Sequence, residues 1–224
     1  MGSLSEFIAS LDTAAMLSAV LRIVAVILCL TVHESCHGLA AYALGDSTAR
    51  AQHRISLNPL HHIDWMGLAA MVILGFGWAK PVNVDMRHFK DPKRGMALTA
   101  LAGPMSNLLL AAILLLLARL LWAAAPDGIG WALLLRFLIL SAQLSVGLGV
   151  FNLIPLPPLD GSRILSVIVP EKWNYYLNRY QTYIQIALIA LLYTGILSGP
   201  LSTARNWLIL QIETAVRWIL QTIL

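Results

Sequence analysis

The chain has 224 residues, of which 58% are apolar and only 12% charged, and its mean hydropathy is +0.75. A water-soluble domain carries roughly a quarter charged residues, so this composition excludes an ordinary soluble globule and predicts an all-α polytopic membrane protein. The net charge of +4 gives no case for nucleic acid as a partner, and the two cysteines, Cys29 and Cys36, are spaced for neither a disulfide nor a metal-thiolate site, so they read as free thiols.

The N-terminal stretch MGSLSEFIASLD has no basic residue, so the first apolar segment, about 13 to 44, reads as a retained span and not a cleaved signal. Near its end it carries VHESCHG, residues 32 to 38. His33 and His37 are four apart on a helix, hence on one face and one turn apart, and both imidazoles can reach one metal ion. Glu34 sits beside that face and has the chemistry of a general base toward water at such a metal. The pattern has few fixed positions, and a pair of structural histidines at a helix end is the plain alternative. Ionisable groups are expensive in a bilayer, however, and usually mark function there. Cys36, inside the motif, reads as a small packing residue facing away from the metal. Arg22 lies eleven residues before His33, about 16 Å along a helix, where its side chain can snorkel.

Residues 44 to 67, LGDSTARAQHRISLNPLHHIDWMG, are polar and turn-rich. The following LAAMVILGFGWAKPVNV, 68 to 84, is interrupted by Gly75, Gly77 and Pro81, which predicts short extended or re-entrant pieces in place of a clean span. A second span is expected over about 94 to 124 and a third over about 130 to 152, running into FNLIPLPPLDG. There Pro155, Pro157 and Pro158 forbid a helix and are expected to hold the backbone extended, with Gly161 allowing a sharp turn after Asp160. A fourth span is expected over about 176 to 198. The tail LSTARNWLILQIETAVRWILQTIL is either a last span or a helix in the interface, with Glu213 and Arg217 placed to pair. In total, four to six transmembrane helices are expected in a single integral membrane domain over 1–224, its core about 13–165 and its C-terminal helices about 176–224.

Basic residues set the orientation. Arg50, Arg54, Lys80, Arg87, Lys90, Lys93 and Arg94 precede the second span, Arg163, Lys172 and Arg179 follow the third, and the intervening turn APDGIG has none. The two basic regions share a face, and the positive-inside rule makes it cytoplasmic.

A catalytic zinc normally has three protein ligands and an open position, so His33 and His37 need a third. His53, His61, His62 and His88 are available but lie in polar loops. Asp160, on the proline-stiffened segment, is the more interesting candidate, although a helix-ending loop with a capping Asp fits Asp160-Gly-Ser well enough on spacing alone.

HESCHG and NLIPLPPLDG together closely resemble the two signatures of the site-2 protease family of intramembrane zinc metalloproteases, HExxH and a downstream motif spaced here as Asn152, Pro155, Asp160 and Gly161. The resemblance extends to LGDSTAR, LNPLHHIDWMG, FGWAKPVNV and AGPMSN, covers about residues 20 to 165 in order, and fits the short branch without an inserted PDZ domain. It implies a hydrolase that performs regulated intramembrane proteolysis: one Zn2+ per chain on His33, His37 and Asp160, with Glu34 as the base that activates the attacking water and then protonates the leaving amine. It implies Asn152 as a hydrogen-bonding partner of the substrate backbone or oxyanion, and a small membrane-re-entrant β element after the HExxH helix whose edge holds an extended substrate. Asn107, in GPMSN, is then a substrate-binding candidate with helix packing as its alternative; Trp78, Lys80 and Pro81 are candidates too, although Trp and Lys are also ordinary interface anchors. The implied partners are a transmembrane protein substrate and the lipid bilayer, with a homo-oligomer left open. The implied location is a prokaryotic inner membrane, with the site toward the cytoplasm.

Two rivals remain at this stage. A metal transporter would want several polar residues on facing spans, and segments two to four offer few. A catalytically inactive scaffold that binds membrane proteins is disfavoured because every core motif residue is present.

Overall fold

The computed structural model describes residues 13–74, 79–124 and 128–223. Helix α1, Thr13–Ala43, is an apolar run without an internal Gly or Pro until Gly38. It stops at Leu44-Gly45-Asp46 in a Schellman turn: Gly45 N–H donates to Tyr42 O, Asp46 N–H donates to Ala41 O, and Gly45 takes φ +108°. The chain then forms the single turn α2, Thr48–Ala51, a 3-10 turn at Pro59–His61, and α3, Trp65–Leu74. Asp64 Oδ1 caps α3 by accepting from Met66 N–H at 2.9 Å and Gly67 N–H at 3.0 Å.

A sequence reading of broken, extended structure from residue 68 therefore gives way to a helix up to Leu74. The apolar stretch WMGLAAMVIL lies entirely before the expected breakers Gly75, Gly77 and Pro81, and Asp64 supplies its start. The expected re-entrant β element is not seen among the described residues. Among the described residues, pairing in this region is one antiparallel bridge, Ile63 with Ala79, followed by residues 80 to 85 without helix or strand.

Helices α4, Pro92–Ala124, and α5, Ile129–Asn152, follow the expected second and third spans. After α5 come a short α6, Asp160–Leu165, then α7, Glu171–Arg179, α8, Gln181–Tyr193, and α9, Ser198–Ile223. Helices α1, α4 and α5 are each long and apolar enough to cross a bilayer, and α8 with α9 makes a fourth crossing if that bent pair is one span. The pair bends by 82°. The span expected over 176 to 198 is broken because α7 ends at Arg179 and Gly195 turns the chain at φ +75°. With 13 residues, α8 covers about 20 Å of a hydrocarbon core of about 30 Å.

The described chain packs around α4, which touches both α1 and α5. Their facing residues are mostly small. On α1, Ala25, Cys29, His33, His37 and Ala41 recur every four residues and are all buried. Gly103, Asn107 and Ala111 on α4, and Ser141, Ala142, Ser145 and Gly149 on α5, answer them. Lipid offers no hydrophobic force between helices, so close backbone approach and a few polar bonds hold such a bundle. Cys29 Sγ–H donates to Ser141 O at 3.5 Å and Ser145 Oγ–H to Asn107 O at 2.8 Å. Toward one end the seam becomes aliphatic (Leu114, Leu115, Leu138, Val146), and α9 covers it with Leu208, Ile209 and Ile212. Glu213 of α9 pairs with Arg119 at 3.5 Å as well as with Arg217 at 3.1 Å.

Candidate metal centre

The four-residue stripe on α1 places His33 and His37 against α4, with ring centroids 4.6 Å apart and planes at 89°. Their solvent exposures are 3% and 8%. Room for both rings exists because α4 has Gly103 opposite them: a Cβ there would overlap the His37 imidazole and stand 2.7 Å from His33 Cε1.

The loop after α5 closes the site. The prolines prevent a helix as expected, but the backbone folds into turns and does not stay extended: Ile154 N–H donates to Phe151 O, Leu156 N–H to Ile154 O and Leu159 N–H to Leu156 O. These turns bring Asp160, the first residue of α6, back over α1. Gly161 serves close approach, since a Cβ would collide with the carbonyls of Leu153 and Ile154; it sits within α6 and turns nothing.

Three atoms then converge. His33 Nε2 lies 3.1 Å and His37 Nε2 3.2 Å from Asp160 Oδ2, and the two nitrogens are 3.0 Å apart. His37 Nδ1–H donates to Thr99 O at 2.7 Å, which leaves Nε2 as a lone pair aimed at Asp160 and His33. A carboxylate oxygen and imidazole lone pairs at such distances repel unless a cation lies among them. Ligand atoms around one tetrahedral zinc stand roughly 3.3 Å apart at Zn–N distances of about 2.0–2.1 Å. The three donors fit that ion.

The other histidines stay away from the cluster, the only group of its kind among the described residues. His62 is buried at 2%, contrary to an exposed-loop reading: its Nε2–H donates to Ser56 O at 2.8 Å and it lies 3.2 Å from Ser35 Oγ. His88 Nδ1 bonds Asp46 Oδ1 at 2.9 Å.

Glu34 is half-buried beside the cluster, and its Oε2 accepts the backbone N–H of Val82 at 3.0 Å. That contact was not readable from the sequence, because Glu34 and Val82 are 48 residues apart. It sets residues 80–85 alongside α1, with Lys80 and Pro81 exposed. The segment is pinned at both ends: Lys80 N–H donates to His62 O at 2.9 Å, and Asp85 N–H donates to Asp46 Oδ2 at 2.7 Å. Trp78 lies outside the described residues. Asn107 is fully buried, and its amide Nδ2 lies 3.1 Å from His33 Nδ1. Asn152 is half-buried at the end of α5, and its Nδ2–H donates to Leu148 O of the same helix at 3.0 Å. Both cysteines are free thiols.

Comparison with known proteins agrees with this chemistry. The profile of Peptidase family M50 matches residues 129–194. YwhC of Bacillus subtilis (strain 168), named as a zinc metalloprotease, is 36% identical over 199 residues, covering 87% of this chain and 91% of that protein. Rip2 of Mycolicibacterium smegmatis, also named as a zinc metalloprotease, is 32% identical over 139 residues, which span about half, 51%, of its length. Rip2 of Mycobacterium tuberculosis (strain H37Rv) is 29% identical over 187 residues, 80% of this chain and 69% of that protein. No solved structure matches.

Proposed function

The chain belongs to peptidase family M50 and is a zinc-dependent membrane metalloprotease, and on that footing we propose that it cuts transmembrane or membrane-anchored proteins within the bilayer, in regulated intramembrane proteolysis. Family membership replaces the transporter and scaffold readings. One observation carries the intramembrane reading: His33, Glu34 and His37 lie on α1, a helix long and apolar enough to span, about 9–15 Å from its end at Ala43. The bond to be cut must then come to that depth.

In this reading the whole chain, 1–224, is one integral membrane protease domain, with its core at about 13–165 and its C-terminal helices at about 176–224. His33, His37 and Asp160 hold the zinc. When bound, zinc polarises the scissile carbonyl and makes water nucleophilic near neutral pH. Glu34 takes the proton of the attacking water as the C–O bond forms, then delivers it to the departing nitrogen as the C–N bond breaks. Val82 N–H fixes one carboxylate oxygen of Glu34 and leaves the other for that proton. Asn107 becomes a positioning residue: its amide Nδ2 lies 3.1 Å from His33 Nδ1, and with the amide turned over its oxygen accepts Nδ1–H and commits Nε2 to the metal. Asn152 supplies an amide for substrate backbone at the mouth of the loop, once it releases Leu148 O.

A substrate helix must unwind before hydrolysis, and its freed backbone groups cost several kcal/mol each in lipid. The exposed side of residues 80–85, with Lys80 and Pro81, is where an extended substrate would find partners. Charge counting puts this side of the molecule toward the cytoplasm of a prokaryotic inner membrane, from which water enters. The test is proteomics of membrane fractions carrying either wild type or Glu34→Gln. Uncut membrane proteins should accumulate with the variant; identical membrane proteomes would argue against the substrate class.

A further inference from the structure

At the opposite end of α1 from the metal centre lies a cavity of about 460 Å³ between α1 and α5. Its lining combines Ser18, Arg22, Arg136 and Gln143 with an apolar floor that includes Leu135 and Ile139. The pattern is periodic on both sides. Ser18 and Arg22 are one turn apart on α1, and Arg136, Ile139 and Gln143 fall at i, i+3 and i+7 on α5, so one face of each helix is turned to the same space.

Both arginines stand on membrane-crossing helices, about 14 Å from the start of α1 and about 10 Å from the start of α5. A guanidinium at such a depth is costly unless paired. Elsewhere the fold pairs such charges: Arg119 and Arg217 both meet Glu213. Here no described carboxylate does so. Arg136 Nη2–H donates to Ser18 Oγ at 2.8 Å, which leaves most of its donors unused. Arg22 has no hydrogen bond or ion pair among the described residues. The acids nearest in sequence, Asp12 and Asp127, lie outside the described residues.

We propose that this cavity is a phospholipid site, in which Arg22 and Arg136 hold the headgroup phosphate and the aliphatic floor takes the start of an acyl chain. Two cationic forks match the oxygens of a phosphodiester. Long arginine side chains at these depths snorkel to the headgroup level. A free anion would need no aliphatic floor, and an uncharged lipid would need no arginines; a phospholipid uses both. The site is separate from the metal centre and does not depend on which substrate the protease cuts.

The test uses the full chain in dodecyl maltoside, a detergent without phosphate, and native mass spectrometry. Dioctanoyl phosphatidylglycerol should bind wild type as one molecule per chain. Arg22→Gln and Arg136→Gln should each weaken it by roughly tenfold, the typical worth of a charge-assisted bond. Dioctanoylglycerol, with the same chains and no phosphate, should bind at most weakly. Equal affinity of wild type and the double variant, or equal binding of dioctanoylglycerol, overturns the site. Saturation by inorganic phosphate at the same concentration overturns the lipid source. Retained zinc content reports that a variant is folded, and if the double variant fails that check, Arg22→Gln alone decides.

Discussion

The backbone N–H of Val82 donates to Glu34 Oε2 at 3.0 Å, joining the acid of the HExxH motif to a segment 48 residues away. This bond orients the carboxylate without neutralising it. Glu34→Gln should therefore keep zinc and the segment's position, because the amide oxygen still accepts from Val82, while proteolysis falls by about 10² to 10⁴, the usual worth of a general base. Cleavage of a model transmembrane substrate at the wild-type rate by Glu34→Gln would rule out the assigned role.

Zinc content should depend on three residues and on nothing else titratable nearby. His33→Ala, His37→Ala and Asp160→Asn should each lose stoichiometric zinc by elemental analysis, whereas His62→Ala and His88→Ala should keep it. A chelator should abolish cleavage and added zinc should restore it. A zinc-replete Asp160→Asn protein would remove Asp160 from the ligand set.

Gly103 tests whether α4 must approach the imidazoles this closely. Gly103→Ala places a methyl carbon against the His37 ring, with His33 Cε1 2.7 Å away, closer than such carbons can approach. Helix propensity favours Ala over Gly by up to about 1 kcal/mol, so the helix itself would gain. Zinc affinity should nonetheless drop by at least about tenfold, as misplaced ligand rings do. Competition with a chromophoric chelator reads this directly, and unchanged affinity would show that the bundle can slide apart freely.

Asn107→Leu separates a positioning role from substrate contact. A positioning role lowers zinc affinity by about 10- to 100-fold and changes KM little in zinc-saturated enzyme. A substrate role would raise KM and leave zinc affinity alone.

The long helices and the pairing of His33 with His37 on one face were legible because membrane spans are read from length and apolarity, and because HExxH needs only helical periodicity. Asp160 needed more: spacing alone could not reject a helix cap, and the family resemblance chose. Residues 65 to 74 were misread because Gly75, Gly77 and Pro81 overshadowed an uninterrupted stretch with a good cap at Asp64. The turns after Asn152 were read as extended because Pro fixes φ but leaves ψ free, so several prolines do not by themselves determine direction. Nothing in the sequence around Gly103 shows what it makes room for; only the positions of two rings from another helix reveal it. Val82 and Asp46 contribute through backbone and long-range bonds, which leave no local pattern.

Asp46 is the clearest of these. It is fully buried just past the end of α1 and accepts four bonds: Thr48 Oγ1–H at 2.5 Å, Thr48 N–H at 2.9 Å, Asp85 N–H at 2.7 Å and His88 Nδ1–H at 2.9 Å. Burial pushes its carboxyl up, but the bonds from Thr48, Asp85 and His88 outweigh it and hold the group below the usual carboxylate range. A carboxyl whose folded pKa lies below its unfolded value of about 3.9 contributes stability above that value and loses it as pH falls through the folded pKa. The Asp85 amide should accordingly be protected from hydrogen exchange at neutral pH and lose protection in acid, below about pH 4. Asp46→Ala should expose that amide at neutral pH, at a cost of about 1–3 kcal/mol for the buried donors left unpaired, and should remove the acid transition. Because the same segment carries Val82 to Glu34, cleavage should fall in Asp46→Ala while zinc content holds. An acid transition in Asp46→Ala like that of wild type would assign the pH dependence to another group.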